Sequence, residues 1–187
     1  MAYPDMTATL QAALDDAAGS RLPFTIPPGG HRLAATGLGY ASNARIVVGG
    51  DLYNDHGPRV GTLYCLTNRS GKRLNNVTIV GAGGAFVGAA SDPAGATRKG
   101  LGIVDTDGFT VIGVRTEGPL TGFAMEIKNA AGGHINGLTL NSGVPGRAPT
   151  AFISSARAAR SRDRTSPCRA ATTPCHSPPK TRSRSMR

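Results

Sequence analysis

Cysteine is scarce. Only Cys65, Cys168 and Cys175 occur in 187 residues, which excludes a disulfide framework. Cys168, Cys175 and His176 lie near one another, but six residues separate the cysteines and one histidine follows. That is not the spacing of a zinc knuckle, so no metal and no other cofactor is expected. The opening stretch MAYPDMTATLQAALDDAAGS has no basic segment followed by an apolar run, and so does not read as a secretory leader. Nor does any apolar stretch approach the ~20 residues needed to span a bilayer. Glycine is missing from one part of the chain: all 26 lie in residues 1–150 and none in 151–187, which also lacks valine and leucine. Such a segment cannot bury enough apolar surface to offset the entropy of ordering it, and residues 149–187 are expected to be a disordered basic tail.

Acidic residues are in deficit, with a formal net charge of +10. The imbalance is local. Residues 151–187 carry nine Arg or Lys against one acid, Asp163, whereas residues 1–150 carry twelve against ten. The body therefore gives no argument for binding nucleic acid or anionic lipid. The tail's basic residues are scattered, with no aromatic interleaved among them for base stacking. Neither a nucleic-acid partner nor a membrane is expected, and oligomeric state and localisation stay open.

What is present is a patterned body. Leu10, Ala13, Leu14 and Ala17 recur at three- and four-residue steps and predict a helix, with Asp5 or Thr7 as N-cap and Gly19 as its stop. LPFTIPPGGHRL predicts a strand over Phe24 and Ile26, a chain reversal at Pro27–Gly30, and a second strand from His31. From residue 74 a unit repeats. NNVTIVGAGG (75–84), GFTVIGVRTEG (108–118) and GHINGLTLNSG (133–143) align on Gly81, Gly113 and Gly137, at offsets of 32 and 24 residues. Val77/Ile79, Phe109/Val111 and Ile135 take matching inward places before that glycine, and Val114 and Leu138 follow it. Strict alternation such as Val77-Thr78-Ile79 marks a strand with one buried face. A period of 20–50 residues marks a solenoid, here one of strands, with no room for the helical crossovers of a βαβ fold. A β-sandwich is the alternative, since short strands with glycine turns also fit it.

The order of TLQAALDDAA, FTIPPGGHRL and the NVTIVG and GFTVIGV rungs resembles the pectin-lyase-like right-handed parallel β-helix, and within it the polygalacturonase-type glycoside hydrolases. The likeness covers about residues 6–143. It implies an all-β right-handed solenoid with an N-terminal capping α-helix. The expected division is a cap with the first strands over 1–35, coils over 36–148 and the disordered tail over 149–187. It also implies a polysaccharide partner, usually extracellular action, and inverting hydrolysis by aspartates on neighbouring coils, the acid and the base roughly 6.5–9.5 Å apart.

The family's aspartate segments, an Asn-Thr-Asp-Gly type stretch and then an Asp-Asp pair one coil on, should follow residue 143, and they are missing from VPGRAPTAFISSARAARSRDRTSPCRAATTPCHSPPK. Read two bases late, however, codons for Pro149 to Ser154 can spell Asp-Gly-Ile-His-Leu. Those for Arg169 to Pro174 can spell Gly-Gly-Asp-Asp-Ala, about 22 residues later. The tail is therefore expected to be an out-of-frame translation of the catalytic coils, and the chain a truncated and inactive version of the enzyme.

Within the frame that exists, the catalytic candidates are Asp107, which with Asp105 in VDTDGF imitates a Thr-Asp-Gly segment, and Glu126 in FAMEIKN. A corner-capping role fits both aspartates better, because no partner pair follows one coil on. Glu126 and Lys128 alternate with Met125 and Ile127 and share an outward face, where a solvated ion pair of small worth, or the wall of a sugar groove, is expected. Asn75, Asn76, Asn129 and Asn141 fit turns or side-chain stacks between coils. His31, His56 and His134 lack triad partners at recognisable spacing. The rival function is a non-catalytic glycan-binding β-helix, such as a phage tail-spike or adhesin-like domain. A lyase of the same fold using calcium finds no Asp/Glu ligand cluster here. Sequencing the gene across codons 140–187 should find wobble bases that spell both aspartate segments in the shifted frame; any other bases dispose of the frameshift.

Overall fold

The computed structural model describes residues 4–34, 36–54, 61–88, 96–118, 124–141, 151–154 and 160–161. Helix α1 (Thr7–Ser20) leads into β1 (Pro23–Ile26), β2 (Gly30–Arg32) and β3 (Leu38–Tyr40). A second pass holds β4 (Arg45–Val48), β5 (Asp51–Asn54), β6 (Gly61–Asn68) and the short β7 (Leu74–Asn75). The third holds β8 (Thr78–Gly81), β9 (Ala85–Gly88), β10 (Ala96–Val104) and β11 (Thr106–Asp107). The fourth is β12 (Thr110–Ile112), β13 (Arg115–Glu117) and β14 (Met125–Lys128). Then come β15 (His134–Asn136), β16 (Thr139–Leu140), β17 (Ala151–Ser154) and β18 (Arg160–Ser161).

Each pass visits three sheets in the same order. The first sheet is β1-β4-β8-β12-β15-β18, the second β2-β5-β9-β13-β16, and the third β3-β6-β10-β14-β17, with β7 and β11 forming a two-stranded fourth. Every pairing is parallel. That rules out an antiparallel sandwich for the described residues. The described residues are thus mostly β, with parallel strands throughout and one short helix at the N-terminal side.

The register explains the core. Ile46, Ile79, Val111 and Ile135 are Cα partners in successive strands of the first sheet. Leu38, Leu66, Leu101 and Met125 form the equivalent column in the third. Apart from the half-buried Ile135, all are essentially excluded from solvent. Like stacks on like, so one apolar position repeated every pass makes a continuous interior. Two short segments inside the expected disordered tail, Ala151–Ser154 and Arg160–Ser161, extend this stacking by pairing with β14 and β15. The remainder of that tail, with Cys168, Cys175 and His176, lies outside the described residues, as does His56.

Two local expectations need correcting. Pro27–Gly30 does not reverse the chain: β1 pairs with β4 and β2 with β5, never with each other, so the segment is a corner between sheets. Two prolines supply no amide hydrogens, so the segment is poorly suited to closing a hairpin. Gly19 does not stop α1 either. The helix runs to Ser20, and Arg21 takes the left-handed cap at φ 57°, its amide donating to Ala18 O. At the other end Asp5 Oδ1 accepts from Thr7 N at 2.9 Å and from Thr7 Oγ1 at 2.7 Å, one residue ahead of the formal cap. The helix buries Thr7, Leu10 and Leu14. Its Gln11 side chain donates to Gly39 O at 2.8 Å and accepts from Gly39 N at 2.7 Å. An amide side chain thereby satisfies main-chain groups of β3, the end strand of its sheet.

Gly81 shows how tightly passes stack. Its backbone is not left-handed, but a Cβ there would lie 2.0 Å from Gly113 O in the next pass. Gly81→Ala should therefore cost about 1–3 kcal/mol through overpacking. Gly19→Ala, in open space within the helix, should gain about 0.5–1 kcal/mol. Thermal unfolding of the two variants checks the contrast, and equal effects would show that the passes are not in contact at Gly81.

Candidate functional site

Both sequence candidates are tied to cations. Asp107, in β11, accepts from Arg73 Nε at 2.6 Å and from Arg73 Nη2 at 2.7 Å, a two-pronged pair between neighbouring passes. The hydrogen bonds from Arg73 hold the Asp107 carboxyl below the ordinary carboxylate range. Asp105 sits at the preceding corner with φ 46° and accepts from Asn129 Nδ2, whose own φ is 50°. The two aspartates are thus corner ligands of neighbouring side chains.

Glu126 lies elsewhere and differs from expectation. It shares the outward face with Lys128, but it is buried, and its ion partner is Lys99 of the adjacent strand, with Nζ 2.6 Å from Oε2. Lys99 is buried as well. The register partner of Glu126 is Gly102, so Lys99, three residues earlier on β10, reaches the carboxylate diagonally with its long side chain. Tyr64 OH donates to the same Glu126 oxygen, and Lys99 Nζ approaches Tyr64 OH at 3.4 Å, 5.2 Å from the ring centre.

The third sheet makes room for this cluster by breaking its alternation. Cys65 with Leu66, and Gly100 with Leu101, are consecutive buried residues, and the register skips the Cys65–Gly100 pair. The bend turns Tyr64 and Lys99 to the side of the sheet where Glu126 stands. Gly102 completes it, since a Cβ there would meet the Tyr64 ring carbons at 2.7 Å.

Burial raises the Glu126 carboxyl, but hydrogen bonds from Lys99 and Tyr64 and the charges of Lys99 and Lys128 outweigh it, and the net direction is down. The Tyr64 hydroxyl is pushed up, first by burial and then by its bond to the Glu126 anion. The cluster is a carboxylate held as an anion beside a lysine and a neutral phenol.

The other candidates take structural places. Asn76, at φ 58°, donates from Nδ2 to Asn43 Oδ1 at 3.4 Å, and Asn43 is left-handed too. Asn75 and Asn141 lie at or beside strand ends without positive φ. His31 Nε2 stands 2.8 Å from Pro27 O. His134 is the register partner of Thr110 on the first sheet. The Cys65 thiol donates to Leu52 O at 3.6 Å inside the core. Among the described residues no three His, Cys, Asp or Glu side chains converge on a metal position. No described helix is long and apolar enough to cross a membrane.

Sequence reasoning missed Tyr64 and Lys99. The offset of 35 residues between β6 and β10 would have paired them, but the 64 and 99 segments share no motif.

No family model matches the chain, and no curated protein does. Its fold is similar to that of a solved structure from Parabacteroides merdae ATCC 43184, provisionally described as a glycosyl hydrolase. The TM-score is 0.62 at 12% identity, over 82% of this chain and 74% of that one.

Lys99→Met should leave a buried carboxylate without its cation, at a cost of about 3–5 kcal/mol at neutral pH. In the parent, Glu126 titrates below its ordinary 4.5, so its contribution is full above 4.5 and fades as pH falls through the lower folded value. In the variant burial dominates and the folded value rises, so acidification neutralises the orphan and the penalty shrinks. Urea unfolding at neutral pH and near 4.5 checks this; a penalty independent of pH would show that Glu126 and Lys99 are not coupled.

Proposed function

We propose that this chain is a fragment of a polygalacturonase-like glycoside hydrolase, built on a right-handed parallel β-helix, which binds polysaccharide without hydrolysing it. The three-sheet parallel stacking and the likeness to the Parabacteroides merdae structure support the scaffold. The observation that carries the loss of hydrolysis is electrostatic. Inverting hydrolysis needs one carboxyl kept protonated, with a raised pKa, facing a carboxylate base across the scissile bond. Asp107 and Glu126 are both shifted the other way, each locked to a cation, on different sheets of the scaffold.

A carboxylate that must first leave a lysine or arginine cannot serve as the proton donor at neutral pH. The missing aspartate segments, read as lying out of frame beyond residue 148, account for why no better pair is found among the described residues. The retained capacity is that of the scaffold: long parallel faces with polar side chains repeated at each pass, suited to a linear polymer.

The test is purified protein with polygalacturonate, assayed for new reducing ends and for retention on immobilised polymer. Retention without turnover is expected, and Asp107→Asn should change neither. Turnover that disappears in Asp107→Asn or Glu126→Gln would overturn the reading.

A further inference from the structure

We propose that the outer face of the first sheet carries a second feature, a binding groove for the anionic groups of a linear glycan, separate from the Tyr64–Lys99–Glu126 cluster. This deepens the polysaccharide-binding reading above and rests on it. The groove has a volume of about 530 Å3 and is lined by Arg21, Asn43, Arg45, Asn76, Thr78, Gly108 and Thr110. None of its described lining residues is acidic. Arg21 and Arg45 are both exposed, and among the described residues neither has an ion-pair partner. Two free guanidiniums over one concave polar surface are the chemistry that recognises carboxylate or sulfate oxygens, because each presents a planar fork of donors.

The fold places these side chains by register. Arg45, Thr78, Thr110 and His134 are Cα partners in adjacent strands, so one polar row crosses the face from pass to pass. Arg21 reaches the start of that row because it caps α1 just before β1, whose Pro23 pairs with Arg45. At the corner beside the row, left-handed Asn43 and Asn76 present their side-chain amides. With Asn76 Nδ2 donating to Asn43 Oδ1, the Asn43 amide hydrogens stay available to a ligand.

A parallel row lies two residues on. Thr25, Val47, Val80 and Ile112 are partners on the same face, and Ile112 is 39% exposed. Polar donors beside a shallow apolar strip, both repeating at the strand spacing of about 4.8 Å, match a polymer whose units alternate charged substituents with apolar ring faces.

The experiment uses the full chain and three probes of equal length: an oligogalacturonate, a sulfated neutral-backbone oligosaccharide, and the same backbone unsulfated. Titration calorimetry at two salt concentrations reads affinity. At least one anionic probe should bind, more weakly at high salt, and the neutral probe should not; which anion binds assigns carboxylate or sulfate. Arg21→Gln with Arg45→Gln should lower affinity by at least about tenfold, since one hydrogen bond to a charged group is worth about that much. Lys128→Gln removes the same kind of charge from another sheet and should leave affinity within about twofold. Unchanged thermal unfolding of the variants would show that the fold is intact.

If the double arginine variant binds like the parent, or Lys128→Gln weakens binding equally, the groove is wrong while polysaccharide binding stands. A chain that retains only the neutral probe likewise overturns the groove alone. If no glycan binds, both readings fall.

Discussion

Every feature of this molecule depends on in-register parallel pairing of each pass with the one before. Main-chain hydrogen bonds fix the pairing, and they force any position in one pass to lie over its partner in the next. Apolar positions then become continuous columns, such as Leu38, Leu66, Leu101 and Met125. Corners must repeat as well: Asn43, Asn76, Gly108 and Gly132, each two residues before a register partner, all adopt left-handed backbone. Only residues that tolerate positive φ can hold that place, because a bulky or β-branched side chain there would be strained in every pass.

The same stacking bears on the electrostatics. Passes about 4.8 Å apart are close enough for long side chains of one to reach those of the next. Glu126 meets Lys99 and Asp107 meets Arg73 diagonally across passes, their own register partners being Gly102 and Asn75, while Arg115 and Glu117 pair along one strand at 3.0 Å. Charges of opposite sign on adjacent passes neutralise one another, which suits stability and works against acid catalysis. Where the register stacks a cation on neutral residues, as with Arg45 over Thr78 and Thr110, the charge is left for solvent or a ligand.

Much of this was legible in the sequence, and the failures have physical causes. The alignment of Gly81, Gly113 and Gly137 reproduces the strand register, with Ile79, Val111 and Ile135 as partners. It was readable because those passes share a glycine after the buried pair. The earlier passes were invisible because Ile26 and Val48 occupy the position that Gly81 takes later. The helix was legible from its apolar spacing, but its stop was not, since a left-handed arginine carries no compositional signal. Alternation correctly turned Glu126 outward. Its burial was not predictable, because that depends on Tyr64, Lys99 and the vacancy at Gly102, contributed by two other passes at irregular offsets.

The distinction between backbone and side chain also bears on how such a scaffold can outlast its chemistry. Ala151–Ser154 pairs with Met125–Lys128, and Arg160–Ser161 with His134–Ile135, in the stretch proposed to be read out of frame. Parallel pairing consumes amides and carbonyls, which every residue except proline supplies in full, so a further strand can add to the stack whatever its sequence encodes. Catalysis has no such tolerance, because it requires carboxyls with opposed proton affinities at defined places on successive passes. A shift of frame would therefore remove the acids at once while leaving the sheets able to continue. Binding along the earlier passes, which depends on residues no later than His134, would be untouched by it.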